Sequence, residues 1–213
     1  KKKILLESAN KKVLREIARV FNHKGSLKNL DKHVIQVYKK NPELAGRNYD
    51  YLNHSSVLQK IFMDNNFMNT CGKLLQKRKG SDLTFNNFQF FIMLPGSKVN
   101  NLGWHQDSSY FPYTNQPNTS LVTWTSFSYK NKIDGNIELI PSSHLRGKIN
   151  HKKNIFDKRK KVKLDKRGMY YLEKKKLNGF PKPVSSDTCS GETVFFDTNI
   201  VHRTSEAPKK NIR

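Results

Sequence analysis

A short histidine–aspartate motif, paired with a histidine far later in the chain, places the strongest limit on the fold. His105 and Asp107 are two residues apart in a strand-like segment, and side chains at positions i and i+2 of a strand project from the same face. His202 lies in a second strand-like segment. A fold that joins these segments would collect two imidazoles and one carboxylate, the ligand set typical of non-haem Fe(II) oxygenases. Taken alone, the His105–Asp107 pair could equally be a hydrogen-bonded surface pair.

The first part of the chain has the apolar spacing of a helical layer, over about residues 1–80. Apolar residues recur at helical intervals in four segments, at 11–21, 27–38, 57–62 and 68–75. Asn10 is a candidate cap for the first segment, and Asn41-Pro42 is expected to end the second.

At about residue 81 the sequence pattern changes from helical spacing to short strands separated by turns. Strand patterns cover 85–94, 104–107, 120–129, 136–140 and 191–202, with turn residues at Pro95-Gly96-Ser97, Asp134-Gly135 and Pro141-to-His144. Helices followed by strands, without β–α alternation, argue against a doubly wound sheet and favour a sandwich or barrel. We therefore predict a mainly β fold with an N-terminal helical layer, as one domain over residues 1–213, whose β core spans about 81–213.

Composition narrows the class of protein. The 213 residues include 35% hydrophobic and 11% aromatic residues, enough apolar surface for one folded core. The two cysteines, Cys71 and Cys189, are far apart, so neither a disulfide scaffold nor a zinc finger is expected, and the cytoplasm is the default location. No apolar run approaches the roughly 20 residues of a membrane span, and Lys1-to-Glu7 does not resemble a signal peptide.

The net charge of +23 is concentrated at the N-terminus and in a basic insertion at 146–182, while the segments with the candidate ligands are nearly neutral. The insertion is either solvated surface, a lid that receives an anionic or phosphate-bearing small molecule, or a nucleic-acid contact. No aromatic-interleaved platform accompanies the basic runs, so nucleic acid ranks last as a partner. The oligomeric state is not predicted.

Four motifs, in order, resemble the phytanoyl-CoA dioxygenase family of Fe(II)/2-oxoglutarate oxygenases. They are Trp104-His105-Gln106-Asp107, Tyr110-Phe111-Pro112-Tyr113, Asp134-to-His144 and Gly191-to-His202. Two turn positions depart from the family pattern: Gly135-Asn136 reverses its usual order, and Ser142 stands in place of its glycine.

The resemblance implies a double-stranded β-helix, which is a cupin-like jelly roll, with His105, Asp107 and His202 as the iron ligands. It further implies binding of the co-substrate 2-oxoglutarate, with Arg213 on its far carboxylate and with help from Thr204. Trp124, Gln89 and Phe91 are expected to line the co-substrate pocket, although Trp124 could instead be core packing and Thr204 an ordinary loop hydroxyl.

The resemblance implies hydroxylation of a small organic substrate, with O2 consumed and succinate and CO2 released. Related halogenases carry a small residue in place of the carboxylate, so the presence of Asp107 favours hydroxylation. Two alternatives remain: a cupin-like binding protein without turnover, and an oxygenase that acts on nucleic acid. The substrate itself is not predicted, because the fold does not determine function.

Overall fold

The structure is a computed structural model, and it describes residues 2–76, 83–94, 102–111, 120–127, 136–153 and 170–205. The helical layer is formed by α1 (Lys2–Val20), α2 (Leu30–Lys40), α3 (Pro42–Asn53), α4 (Ser56–Phe62) and α5 (Asn65–Leu74). A short 3-10 helix, Leu27–Asn29, leads into α2. None of the helices in these ranges combines the length and apolar character that a bilayer crossing needs.

The helices bury one continuous apolar core. Its buried members on α1 to α4 and their connections are Val13, Leu14, Ala18, Phe21, Leu30, Val34, Ala45, Leu52 and Leu58. Each large aliphatic side chain buried in this way contributes roughly 1.5–3 kcal/mol relative to exposure. The layer is therefore a stable support for the strands rather than a set of independent helices.

One prediction about the helix boundaries was wrong, and another was incomplete. Asn10 lies inside α1, which begins at Lys2, so it is not a cap. Pro42 does end α2, but it also starts α3, which the sequence prediction missed. The Asn41 side chain accepts a hydrogen bond from the Leu44 backbone N–H at 3.0 Å, so Asn41-Pro42 is a helix-start signal as well as a stop.

The described strands are β1 (Leu121–Thr125), β2 (Ile137–Leu139), β3 (Lys152–Lys153), β4 (Tyr170–Tyr171), β5 (Val184–Ser185), β6 (Thr193–Asp197) and β7 (His202–Thr204). β1 pairs with β6, β2 lies between β5 and β7, and β3 pairs with β4, each pair being antiparallel. The expected combination of N-terminal helices with antiparallel β-structure is thus confirmed.

The segment 102–105 extends the three-stranded sheet beside β7. His105 and His202 exchange two backbone hydrogen bonds of 2.9 Å, and the Leu172 N–H donates to the Trp104 carbonyl at 2.7 Å on the other side. The residues just after β4 therefore flank the ligand segment. The basic insertion is thus tied into this sheet at its later end, while its middle, 154–169, lies outside the described residues.

Aromatic contacts show how the layers are stacked. The Phe196 ring of β6 lies 4.8 Å from the His202 ring of β7, so the β1–β6 pair faces the sheet that contains His202. The preceding residue, Phe195, points the other way, and its ring lies 5.7 Å from that of Phe67 on α5. The β1–β6 pair is consequently a middle layer between the helices and the site.

Residues 85–94 were predicted as a strand, but the described segment 83–94 pairs with no strand among the described residues. Its alternate residues Phe88, Phe90, Ile92 and Leu94 pack on the helical core. The Asn53 side chain accepts from the Phe90 N–H at 2.7 Å and donates to the Phe90 carbonyl at 3.2 Å. A helix side chain therefore satisfies backbone groups that a neighbouring strand would otherwise pair.

Candidate metal centre

Three side chains predicted as iron ligands converge at one point. The Asp107 Oδ1 lies 3.4 Å from the His105 Nε2 and 3.5 Å from the His202 Nε2. The two imidazole rings are 4.2 Å apart, and the three potential ligand atoms all lie within 4.8 Å of one another. This is close enough for a single metal ion to contact all three.

The backbone explains why these side chains meet. His105 and His202 lie directly opposite each other in antiparallel pairing, so their side chains leave the sheet on the same face. Gln106 stays extended, with φ −122° and ψ 136°, and Asp107 therefore returns to the face of His105. A 3-10 turn, Asp107–Ser109, then leads the chain away from the site.

Both histidines are held in the same tautomer by their own backbone segments. The His105 Nδ1 lies 2.7 Å from the Gly103 carbonyl oxygen, and the His202 Nδ1 lies 2.9 Å from that of Ile200. A carbonyl oxygen can only accept, so each Nδ1 carries a proton, and in the neutral form of each ring Nε2 keeps its lone pair. This arrangement prepares an imidazole for a metal ion, because the lone pair is directed into the site.

Burial sets the charge of the site. His105 is 2% and His202 is 5% exposed, whereas the Asp107 side chain is 25% exposed. Burial, with the neighbouring His105, lowers the pKa of His202 to about 4, so this ring is neutral at pH 7. Burial works against ionisation of Asp107, but His202 and His105 outweigh it and hold the Asp107 pKa below its usual range. A neutral imidazole beside an ionised carboxylate suits a divalent cation.

The family model described as phytanoyl-CoA dioxygenase (PhyH) matches residues 13–209. The chain belongs to the phytanoyl-CoA dioxygenase family. The match includes most of the helical layer as well as the ligand strands, and it confirms the resemblance seen in the motifs. The family assignment and the triad together identify an enzyme of the oxygenase type. A comparison with curated proteins finds no significant relative.

Gln106, which lies between His105 and Asp107, connects the candidate site to two neighbouring segments. Gln106 is fully buried, and its side-chain N–H groups donate to the carbonyls of Gly147 at 2.9 Å and Asn199 at 2.6 Å. Its Oε1 accepts from the Ile149 N–H at 2.7 Å. One amide thus joins the ligand segment to the 147–149 segment and to the loop before His202.

A third histidine lies beside the same segment. The His151 Nε2 accepts from the Gln106 backbone N–H at 2.9 Å, and its Nδ1 lies within 2.8 Å of both Ile149 O and Ser109 Oγ. Burial lowers its pKa, which favours the neutral ring. His151 is therefore half-buried, with both ring nitrogens in contact with the protein. The alternation Ile149-Asn150-His151 was the only sequence signal of an inward-facing ring.

The turn before β7 is also fixed by a buried polar side chain. Ser143 is fully buried, and its Oγ donates to the Ile140 carbonyl and accepts from the Val201 N–H, each at 2.8 Å. Its neighbour Ser142, which replaces the family's glycine, has a left-handed backbone with φ 59°. His144, which follows in the same turn, lies in the 3-10 helix Ser143–Arg146.

Two of the predicted co-substrate residues lie on faces that point toward the triad. Thr204 is two residues beyond His202 on β7, so it shares that ligand's face. Trp124 shares a face of the β1–β6 pair with Phe196, whose ring contacts His202. These placements agree with the predicted roles without testing them.

The structure does not test the other three predicted co-substrate residues. Gln89 and Phe91 are both exposed, on the side of the 83–94 segment away from the helical core. Arg213 lies outside the described residues. The assignment of these three residues to the co-substrate therefore remains a prediction.

Aromatic residues cover the two imidazole rings of the triad, a role that no sequence pattern predicted. Tyr110 meets the His105 ring edge-on at a centroid distance of 6.0 Å, and Phe196 covers the His202 ring. The Tyr170 N–H donates to the Tyr110 hydroxyl at 3.2 Å, which links this wall to β4. Tyr110 was part of a recognised motif, but nothing in the motif showed which ring it would contact.

Proposed function

We propose that the chain is an Fe(II)/2-oxoglutarate-dependent dioxygenase that hydroxylates a small organic substrate, consuming O2 and releasing succinate and CO2. The observation that carries the proposal is the convergence of His105, Asp107 and His202, with both imidazole lone pairs available. Two neutral nitrogens and one carboxylate oxygen on one side of a metal are the donor set that non-haem Fe(II) oxygenases use.

In this proposal the residues of the chain bind and orient the metal ion and the co-substrate. His105, Asp107 and His202 would hold Fe(II) through two imidazole nitrogens and one carboxylate oxygen. Iron, when bound, supplies the oxidative chemistry of the reaction. Arg213 would bind the far carboxylate of 2-oxoglutarate, because a guanidinium can donate two parallel hydrogen bonds to it. Thr204 would add a hydroxyl contact, and Trp124 a wall of the same pocket.

The aromatic shield has a function in the same scheme. Tyr110 and Phe196 cover the two imidazole rings, and a nonpolar surrounding limits solvent access to a metal centre. The double-stranded β-helix belongs to this proposal too, and it is supported by the facing antiparallel pairs. The proposal also includes a cytoplasmic location, which is supported only by the two distant cysteines, and an anionic substrate, which is supported only by the basic insertion.

The test is spectroscopic. Anaerobic addition of Fe(II) and 2-oxoglutarate to the wild type should give a weak visible charge-transfer band. His105→Ala should abolish the band, because it removes one of the three ligands. His33→Ala is the matched control: His33 also bonds a backbone carbonyl, that of Phe21 at 2.8 Å, but lies in the helical layer. This variant should keep the band.

Succinate formation separates the proposal from its closest alternative. An enzyme should release succinate in the presence of O2, even when no substrate is supplied. A folded wild type that gives the band but no succinate would be a binding protein without turnover. A folded wild type that gives no band would overturn the assignment altogether.

A further inference from the structure

We propose that His151 is a positioning residue of the metal centre, which sets the relative direction of His105 and Asp107 by holding the peptide unit between them. This inference rests on the proposed function, because it takes the triad to be a metal site. Neither the family motifs nor the ligand set assigns His151 any role.

The hydrogen bonds determine the state of the ring. The Gln106 backbone N–H can only donate, so the His151 Nε2, at 2.9 Å, must present a lone pair to it. The proton of the neutral ring is then on Nδ1, between the Ile149 carbonyl oxygen at 2.7 Å and the Ser109 Oγ at 2.8 Å. Both ring nitrogens are therefore engaged by the protein. His151 cannot act as a fourth metal ligand in this arrangement, although it lies beside the triad.

The peptide unit that His151 contacts is held from two opposite sides. Its carbonyl belongs to His105 and accepts from the His202 N–H at 2.9 Å. Its N–H belongs to Gln106 and donates to His151. In an extended segment the carbonyl and N–H of one peptide unit point in opposite directions, toward the two neighbouring strands. The imidazole therefore accepts the hydrogen bond that a neighbouring strand carbonyl would otherwise accept. Together with the bond from the His202 N–H, it fixes the orientation of this peptide plane.

That plane controls the geometry of the first two ligands. Rotation of the peptide unit changes ψ of His105 and φ of Gln106, and these angles set how the Cα–Cβ bond of His105 is directed relative to that of Asp107. The 3.4 Å separation of the His105 Nε2 and Asp107 Oδ1 depends on these angles. Ser109 extends the control, because it ties the same imidazole to the 3-10 turn that begins at Asp107.

Two substitutions of His151 distinguish the hydrogen bond accepted by Nε2 from the contacts made by Nδ1. His151→Gln can place its side-chain oxygen near the position of Nε2 and still accept from the Gln106 N–H. His151→Asn places its amide near Nδ1 and keeps the contacts to Ile149 and Ser109, but it does not reach the Gln106 N–H. His33→Asn, in the helical layer, is the control for loss of a histidine that bonds a backbone carbonyl.

The experiment is an anaerobic titration of each apo-protein with Co(II), followed by visible d–d absorption, with the free energy of unfolding measured in parallel without metal. We expect His151→Asn to weaken Co(II) affinity by about 10- to 100-fold, as partners behind metal ligands commonly do. His151→Gln should stay close to the wild type in affinity and in band position. His33→Asn should lose stability only.

The outcomes are distinguishable. Wild-type affinity and an unchanged d–d spectrum in His151→Asn would overturn the inference, even if that variant were less stable, because a merely structural role predicts that result. Equal loss of affinity in the Gln and Asn variants would also overturn it. If His151→Asn does not fold, Ser109→Ala replaces it: weakened Co(II) binding supports the inference and unchanged binding overturns it. A wild type that binds no Co(II) would instead refute the proposed function.

Discussion

Each of the two candidate histidine ligands is oriented by a carbonyl only two residues earlier in the chain. Gly103 serves His105 and Ile200 serves His202, so the direction of each lone pair is set locally. The motif residues themselves could be recognised from the sequence, because their type and spacing define the donor set. The carbonyls could not, since every residue carries one and only the folded backbone selects which ring it meets.

Ser142 offers a test at the scale of one residue. Its left-handed backbone, φ 59° and ψ 6°, costs an L-residue about 1–2 kcal/mol, while glycine adopts it freely and loses somewhat more chain entropy on folding. We expect Ser142→Gly to raise the free energy of unfolding by about 0.5–1 kcal/mol. The measurement is the midpoint of urea unfolding at unchanged slope. Ser142→Ala keeps the Cβ and should give no gain, so an equal gain in both variants would contradict the explanation.

The helices and strands differ in how far their sequences predict them. α2, α4 and α5 have apolar stripes long enough to be recognised, and β1 shows clear alternation from Leu121 to Thr125. The sequence does not reveal α3, because Asn41-Pro42 by itself predicts only the end of α2. The 83–94 segment alternates like a strand, but its apolar face packs on helices and Asn53 takes the backbone groups of Phe90. Alternation thus reveals a two-faced extended segment and not its hydrogen-bond partner.

A buried carboxylate joins two of the helices. Glu16 of α1 is 5% exposed, accepts two hydrogen bonds from Arg19 at 2.8 and 2.9 Å, and accepts one from Ser55, the residue before α4, at 2.7 Å. The Arg19 hydrogen bonds, which outweigh the effect of burial, hold the pKa of Glu16 below its ordinary value of 4.5. The native state therefore binds this proton less readily than the unfolded chain.

The sign of the pH dependence follows from that difference. The stabilisation from Glu16 is fully present above pH 4.5, its ordinary pKa, and is lost as the pH falls through the lower native value. We expect Glu16→Gln to lower the free energy of unfolding by about 2 kcal/mol at pH 7, with a smaller difference from wild type in acid. Urea unfolding at pH 7 and at successively lower pH checks this.

Glu43 provides the matched control for that experiment. It forms a 3.3 Å ion pair with Arg47 on α3, but both side chains are largely exposed. Exposed pairs of this kind contribute little, so Glu43→Gln should change stability by less than about 0.5 kcal/mol. A Glu16→Gln variant that behaves like Glu43→Gln at every pH would show that the buried network does not stabilise the layer.

At the scale of the whole molecule, the triad joins parts of the chain that are far apart in sequence. Asp107 and His105 come from the segment beside β7, and His202 comes from β7 itself. The helical layer supports this arrangement indirectly, through Phe67, Phe195 and the β1–β6 pair. A metal ion that binds only the assembled triad should therefore stabilise the entire fold.

This coupling predicts a measurable shift in thermal stability. At free Co(II) about 100-fold above its Kd, the free energy of unfolding should rise by about 2.7 kcal/mol, which corresponds to roughly 5–10 °C in Tm for a chain of this size. Asp107→Ala should show no such rise, because it removes the only carboxylate of the triad. Scanning calorimetry with and without Co(II) makes the comparison. An equal rise in the variant would mean that the stabilising ion binds elsewhere.

The direct pairing of His105 with His202 also has a kinetic consequence. The two strands must find each other across a long intervening chain, and long-range pairings of this kind close slowly because they carry a large loop entropy. Until that closure occurs, the three groups of the triad are not assembled. A metal ion that needs all three groups would therefore bind after the chain has folded. We expect such an ion to slow unfolding rather than to nucleate folding.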